Sequence, residues 1–243
     1  MPRYSYTYKT INSLVGKAIH RYDMIQDGDR IAVGLSGGKD SLTLLWALAE
    51  RRKRIRVHYD LFPIYIDPGF SGGFGGELAE TCRQMGFLLT VDKTDHGLVA
   101  HSSANRENPC FLCSRWRRKR LFEIADSMGI TKLALGHNKD DVIETLFLNI
   151  CYAGEISTMV PRQAFFRGRF TVIRPLAMVD EQRIRRFASE RQFPRFDNPC
   201  PSAGVTKRSE IKDMLERLYR TNRKIKGNIY RSMSHVKLEY LLK

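Results

Sequence analysis

Two short stretches carry the residue types that could do chemistry. The first is GLSGGKDS, Gly34 to Ser41. Glycines let backbone N–H groups crowd round an anion, and a helix N-terminus behind them adds its positive dipole. Lys39 adds a point charge. In the common phosphate loop the lysine is followed directly by Ser or Thr, which reaches magnesium; here Asp40 intervenes. A carboxylate beside phosphates is repulsive unless a cation lies between them, so Asp40 points to Mg²⁺. Ser36, Gly37, Gly38, Lys39, Asp40 and Ser41 are the candidate phosphate-binding residues.

The second stretch is NPCFLCSRWRRKRLF, Asn108 to Phe122, in which five of the seven residues after Cys113 are Arg or Lys. By itself C-x-x-C reads as a redox pair, a zinc half-site or an iron–sulfur half-site. No second C-x-x-C completes a four-cysteine zinc site. Cys200 stands between prolines in DNPCPSAG, whereas Cys82 and Cys151 fall inside helical patterns and read as small buried hydrophobes.

The elements that must position these residues follow from periodicity. Apolar residues at helical spacing mark a helix over 10–25. RIAVGLS, YDLFPIYID, FLLTVDKT, KLALGHN and RFTVIRPL read as strands. Helices are predicted from Asp40, over ELAETCRQMG, from Ser114 to Gly129, and from Asp140 to Gly154. Strands alternating with helices predict an α/β fold with a doubly wound, mainly parallel sheet and the site at the strands' carboxyl ends. Asp67 ends YID there, and Gly136, His137, Asp140 and Asp141 end or follow KLALGHN. Each aspartate also fits a turn or a helix N-cap. The predicted layout is an N-terminal helical segment (1–28), the α/β domain (29–180) and a helical, basic C-terminal extension (181–243), with KGN at 226–228 terminating a helix.

On a helix of about 100° per residue, Leu121, Ile124, Ala125 and Met128 define a buried stripe. Arg117 falls about 40° from its centre and Arg118 about 60°. Arg117 is therefore expected to reach phosphates or substrate. Arg115, Trp116, Lys119 and Arg120 point away, towards RNA or solvent.

The 243 residues are 42% hydrophobic, enough for a real core. Lys and Arg number 41 against 26 Asp and Glu, a net +15, which suggests a polyanionic partner, most simply nucleic acid. The longest apolar run is far short of the roughly 20 residues of a membrane span, and no signal peptide is read. A cytoplasmic protein with no membrane role is the expectation.

SGGKDS resembles the pyrophosphatase loop of the N-type ATP pyrophosphatases, the PP-loop superfamily. Over residues 10 to 215, YDMIQDGDRI, LSGGKDS, CFLCSRWRR, ALGHNKDD, TLFLN and IRPL resemble in order the TtcA family of tRNA 2-thiocytidine synthases. The resemblance implies an adenine nucleotide alpha hydrolase-like fold and thiolation of the cytidine before the anticodon, at position 32, using ATP, Mg²⁺ and a [4Fe–4S] cluster. It implies that Cys110, Cys113 and Cys200 hold the cluster and that the loop, Gly136 and His137 bind ATP. Asp40, Asp67, Arg117 and at least one of Asp140 and Asp141 take part in chemistry. Partners would be tRNA, a sulfur donor (cysteine desulfurase or sulfide) and a reductant; a homodimer is open. Two departures stand out. The family usually has Gly-His-His where this chain has Gly136-His137-Asn138, and NPCPSAG…KRSEI resembles the sister tRNA 2-thiouridine synthases. Uridine thiolation is therefore the first alternative, and an iron–sulfur or zinc RNA-binding module without thiolation the second.

Overall fold

Ile31, Ala32 and Val33 are fully buried, as a parallel strand covered on both faces requires. In the computed structural model, which describes residues 5–197, 199–202, 204 and 206–242, that strand is the centre of a sheet. The strands are β1 (Asp29–Leu35), β2 (Tyr59–Asp67), β3 (Thr90–Lys93), β4 (Lys132–Leu135), β5 (Arg162–Phe165) and β6 (Phe170–Ile173). Their spatial order is β3-β2-β1-β4-β6-β5. All pair in parallel except β5, which lies antiparallel on β6. Chain order reverses beside β1, so the β1–β4 edge is the switch point where such sheets bind ligands. Gly34 sits opposite Ile64 on one side and Leu135 on the other, bringing the carboxyl ends of three strands together.

The helices are α1 (Tyr6–Arg21), α2 (Lys39–Arg52), α3 (Gly75–Gln84), α4 (His96–Ala100), α5 (Pro109–Ser127), α6 (Lys139–Leu148), α7 (Glu181–Glu190), α8 (Lys207–Thr221) and α9 (Ile225–Ser232). The chain forms two compact units: Met1–Asn138 with Val160–Ala203, and Lys139–Met159 with Gly204–Lys243.

The first unit contains the sheet. Its core joins Ile64 and Ile66 of β2, Leu133 of β4 and Val172 of β6 to Phe122 and Ala125 of α5. Phe122 thus belongs to the buried stripe of α5, which the sequence reading had centred on its neighbour Leu121. The sequence pattern grouped α7 with the C-terminal extension, but it belongs to this unit. Ile184 and Phe187 are buried, and Phe187 packs 4.7 Å from the Trp46 ring of α2. The β5–β6 hairpin was not expected. Its tip, Phe166-Arg167-Gly168, has φ of 51°, 57° and 91°, a left-handed run that sequences usually signal with Asn or Gly.

The second unit packs α6 against α8 and α9 through Ile143, Ile211 and Leu215. α8 begins on a capping box in which Thr206 and Ser209 exchange hydrogen bonds. Residues 226–228 lie inside α9, so KGN ends no helix. Past α6 the chain widens into a π-helical turn, Asn149–Ala153. There Cys151 is exposed, contrary to the buried reading, whereas Cys82 in the first unit is fully buried as expected.

Glu144 is buried in the second unit, and burial, reinforced by the neighbouring Asp141 charge, pushes its pKa up to about 7 from 4.5. Between those values the unfolded chain has lost the proton and the folded chain keeps it. Stability therefore falls as pH rises from 4.5 to 7, and the penalty is complete above that window. Glu144→Gln removes the penalty. Urea unfolding should show the variant more stable by about 2 kcal/mol at pH 8 and near parity at pH 4; equal stability at pH 8 would refute the buried charge.

Candidate functional site

The glycine loop leaves β1 and enters α2 with Gly38 at the N-cap, where no side chain caps the helix. Its first-turn N–H groups therefore face whatever anion the loop holds. Ser41 is buried; its Oγ accepts from the Ser36 N–H at 3.2 Å and donates to the Gly38 carbonyl at 2.9 Å. These bonds fix the loop from within. Gly37 has φ +75°, and a Cβ there would lie 2.4 Å from the Phe74 ring. Gly136, just after β4, would place a Cβ 3.0 Å from the Ser41 nitrogen. Only glycine lets that strand end approach the loop so closely.

Asp40 is held from two sides. Its Oδ2 accepts from Lys39 Nζ and its Oδ1 from Asn138 Nδ2, both at 2.9 Å. Asn138 is 4% exposed, and it is the residue at which the sequence departs from Gly-His-His. The departure places a neutral amide donor on the carboxylate. Lys39 also pairs with Glu181 at 2.9 Å, a partner that sequence reasoning missed. Burial works against the lysine charge, but Asp40 and Glu181 outweigh it and hold its pKa above the ordinary value. The loop opens on a cleft of about 730 Å³, lined opposite Lys39 and Asp40 by Arg185, Gln192, Arg195 and Phe196.

Asp67 ends β2 and accepts from the Gly69 N–H at 2.9 Å. A Cβ on Gly73 would fall 2.9 Å from its other oxygen, so the glycine-dense loop folds over it. The neighbouring Tyr65 is pushed up to about 12, first by burial and then by Asp67, while Arg117 pulls the other way. Asp67 and Arg117 thus share one electrostatic neighbourhood. Arg117 is half-buried and Arg118 exposed, but Trp116 and Arg120, which the helix angle pointed away, are half-buried as well, so burial does not single out Arg117.

Cys110 and Cys113 lie in the first turns of α5, not in a loop. Asn108 caps the helix by accepting from the Phe111 N–H at 3.2 Å, and Pro109 occupies the first position. The thiol of Cys113 is raised by burial, opposed by Arg117, and raised further by Cys200 and Cys110. Cys113 therefore sits within electrostatic reach of both Cys110 and Cys200, and all three thiols are half-buried and outside any disulfide. Cys200 also lies 3.8 Å from His101 Nε2, which contacts Ser202 Oγ at 2.7 Å. Among the described residues no three His, Cys, Asp or Glu side chains converge on a single ion. A [4Fe–4S] cube holds its thiolates farther apart than one ion does. Three half-buried thiols, with the Arg117 guanidinium beside Cys113, fit that anionic group better than a lone zinc.

The outward basic residues are engaged. Arg115 pairs with Glu107, Lys119 with Glu123, and Arg120 with Asp92 and Glu123. Trp116 is half-buried and meets His96, ring centroids 5.5 Å apart. His137 and Gly136 are half-buried after β4. In the second unit, Asp140 accepts from Lys226 and Asp141 from Arg208 at 3.1 Å. Neither is an N-cap; both lie within the first turn of α6.

Residues 7–215 match the PP-loop domain family. The tRNA-cytidine(32) 2-sulfurtransferase of Geobacter sulfurreducens is 39% identical over 238 residues, 97% of this chain and 93% of that protein. The protein of that name from Geotalea daltonii is 40% identical over 239 residues, 97% and 94% of the two chains. The solved U34-tRNA thiolase NcsA from Methanococcus maripaludis, with its [4Fe–4S] cluster, matches with a TM-score of 0.78 at 27% identity, covering 97% of this chain and 80% of that one. The NH₃-dependent NAD synthetase from Campylobacter jejuni, at 15% identity and a TM-score of 0.53 over 99% of this chain and 100% of that one, shares the fold. Among the described residues no helix is long and apolar enough to cross a membrane.

Proposed function

The chain belongs to the PP-loop domain family, and from that premise we propose that it is an ATP-dependent tRNA sulfurtransferase that replaces the C2 oxygen of cytidine 32 with sulfur. The observation that carries this reading is one unit holding both parts of the chemistry. A phosphate loop with a fixed carboxylate, Asp40, stands in the same unit as Cys110, Cys113 and Cys200, with Cys113 close enough to feel the other two thiols.

The C2 oxygen is a poor leaving group. Its attack on the α-phosphate of ATP forms the adenylate and releases pyrophosphate. Sulfur then takes C2, and the old oxygen departs with AMP. Ser36, Gly37, Gly38, Lys39 and Ser41 hold the departing diphosphate through N–H groups, hydroxyls and one ammonium. Asp40 would be the carboxylate that holds Mg²⁺, which would neutralise charge on the departing diphosphate. Lys39 has Glu181 as a second partner when the metal takes Asp40. Gly136 and His137 line the nucleotide from β4. Asp67 and Arg117 orient the reacting groups from opposite charges. A role for Asp140 or Asp141 requires each to leave its partner, Lys226 or Arg208. When bound by the three cysteines, a [4Fe–4S] cluster supplies an iron site open to sulfur; the sulfur comes from a desulfurase or sulfide, and a reductant keeps the donor usable. The reaction places the protein in the cytoplasm, where tRNA is modified.

Mass spectrometry of tRNA nucleosides from cells lacking the gene tests the reading. 2-Thiocytidine should disappear and return on complementation. Loss of 2-thiouridine instead would transfer the target to a uridine, the substrate named for the structural neighbour. If neither changes, the thiolase reading fails.

A further inference from the structure

A second cavity lies apart from the glycine loop, on the outer side of α5. It is an open cleft of about 280 Å³, lined by Asp95, His96 and Val99 on one side and Trp116, Lys119, Arg120 and Glu123 on the other. Its wall is aromatic: the indole of Trp116 and the imidazole of His96 meet at 5.5 Å and 49°. Its polar groups are mixed in sign. Arg120 is neutralised by paired bonds to Asp92 at 2.7 and 3.0 Å and by Glu123 at 3.1 Å, and Lys119 leans on Glu123 at 3.7 Å. One group is unsatisfied: His96 Nδ1 is buried and has no hydrogen-bond partner among the described residues.

A phosphate is a poor guest here, because carboxylates line the cavity and its cations are already paired. A flat, uncharged ring with N–H donors on its edge suits it. Such a ring stacks on the indole, while Asp95 and Glu123 accept from its edge. Trp116 lies one turn beyond Cys113 on the same helix, about 4.5 Å along the axis. A nucleotide near the one being thiolated therefore comes within reach of this wall.

We infer that the Trp116–His96 cavity receives an unstacked base of the substrate RNA, one bearing an exocyclic amino group and adjacent to the reacting nucleotide, and so sets the register of the anticodon loop. This rests on the tRNA thiolase reading and adds to it a specificity site that the reaction chemistry does not require.

The test measures dissociation constants of an anticodon stem-loop RNA for the full chain. Trp116→Ala should weaken binding roughly tenfold, within the range of one base–aromatic stack. Trp116→Phe should keep most of it, and the salt dependence should be unchanged because no phosphate contact is lost. Loop variants carrying one abasic nucleotide identify the base. One position should cost roughly tenfold against the wild type and nothing further against Trp116→Ala, as in a double-mutant cycle. Binding by Trp116→Ala within twofold of wild type overturns the inference, as do abasic costs that are the same in both proteins. A parallel fall in ATP binding and melting temperature would also overturn it by showing a structural role. A wild-type chain that binds no stem-loop would sink the thiolase reading along with the inference, whereas intact 2-thiocytidine formation with any of the earlier failures sinks the inference alone.

Discussion

Asp40→Ala should lower tRNA- and ATP-dependent pyrophosphate release roughly 10³-fold while changing tRNA affinity less than twofold. The size follows from the role proposed for the carboxylate. Charge develops on the phosphates as the diphosphate departs, and a metal held by one carboxylate neutralises it. Removing a single preorganised electrostatic group costs about 10²–10³ in rate, and losing the metal as well takes the effect to the upper end. At 1.36 kcal/mol per tenfold this is about 4 kcal/mol of transition-state stabilisation. The alanine variant also strands the Asn138 amide, which is 4% exposed and donates to Asp40 at 2.9 Å. That loss destabilises the fold by about 1–2 kcal/mol. Asp40→Asn separates the two effects, because it keeps a polar side chain of the same shape for Asn138 to meet but removes the charge. It should fold as the wild type does and still lose activity. Pyrophosphate release by quenched-flow assay, with filter binding of tRNA alongside, reads both quantities. Either variant retaining a tenth of wild-type activity would rule out a metal role for Asp40.

The loop at 34–41 was legible because three signals agree locally: an apolar run, a glycine cluster and a leucine-rich helix behind it. The parallel sheet was legible for the same reason, since each βα unit declares itself within about 30 residues. What escaped the sequence was either short or non-local. β5 has four residues and alternates exposure along an edge, too little pattern to separate from a loop. Its hairpin turns on Phe166 and Arg167 in left-handed backbone, which composition does not announce. The start of α5 was in fact written in the sequence: Asn108 followed by Pro109 is a helix cap and first position. Beginning the helix at Ser114, after the cysteines, missed it. Glu181 could not have been assigned to Lys39 from sequence, because 142 residues separate them and nothing in DEQRIRRF marks one carboxylate as special. Asn138 was noticed only as a departure from a pattern; its burial against Asp40 gives that departure a physical meaning.

Cys200→Ser should give a protein that binds ATP and releases pyrophosphate within a few-fold of wild type, yet forms no thiolated nucleoside above background. Purified without oxygen, the wild type should carry about four iron atoms per chain and the variant close to none. The prediction depends on how the third thiol is held. Cys200 is brought to Cys110 and Cys113 by a segment that His101 anchors: its ring contacts the Gly97 carbonyl at 2.9 Å through Nδ1 and Ser202 at 2.7 Å through Nε2. Serine at 200 can still hydrogen-bond to His101, so the segment keeps its place while the soft sulfur ligand is gone. A loss of iron in a folded, ATP-competent variant would therefore report ligation and not collapse of the loop. Cysteines 110 and 113 alone, three apart on one helix, reach only one side of a cluster, and a distant third ligand would distinguish the proposed site from a redox pair, which needs two thiols and no more. A colourless wild-type protein holding stoichiometric zinc under anaerobic conditions, or a Cys200→Ser variant with full iron, would overturn the three-cysteine cluster.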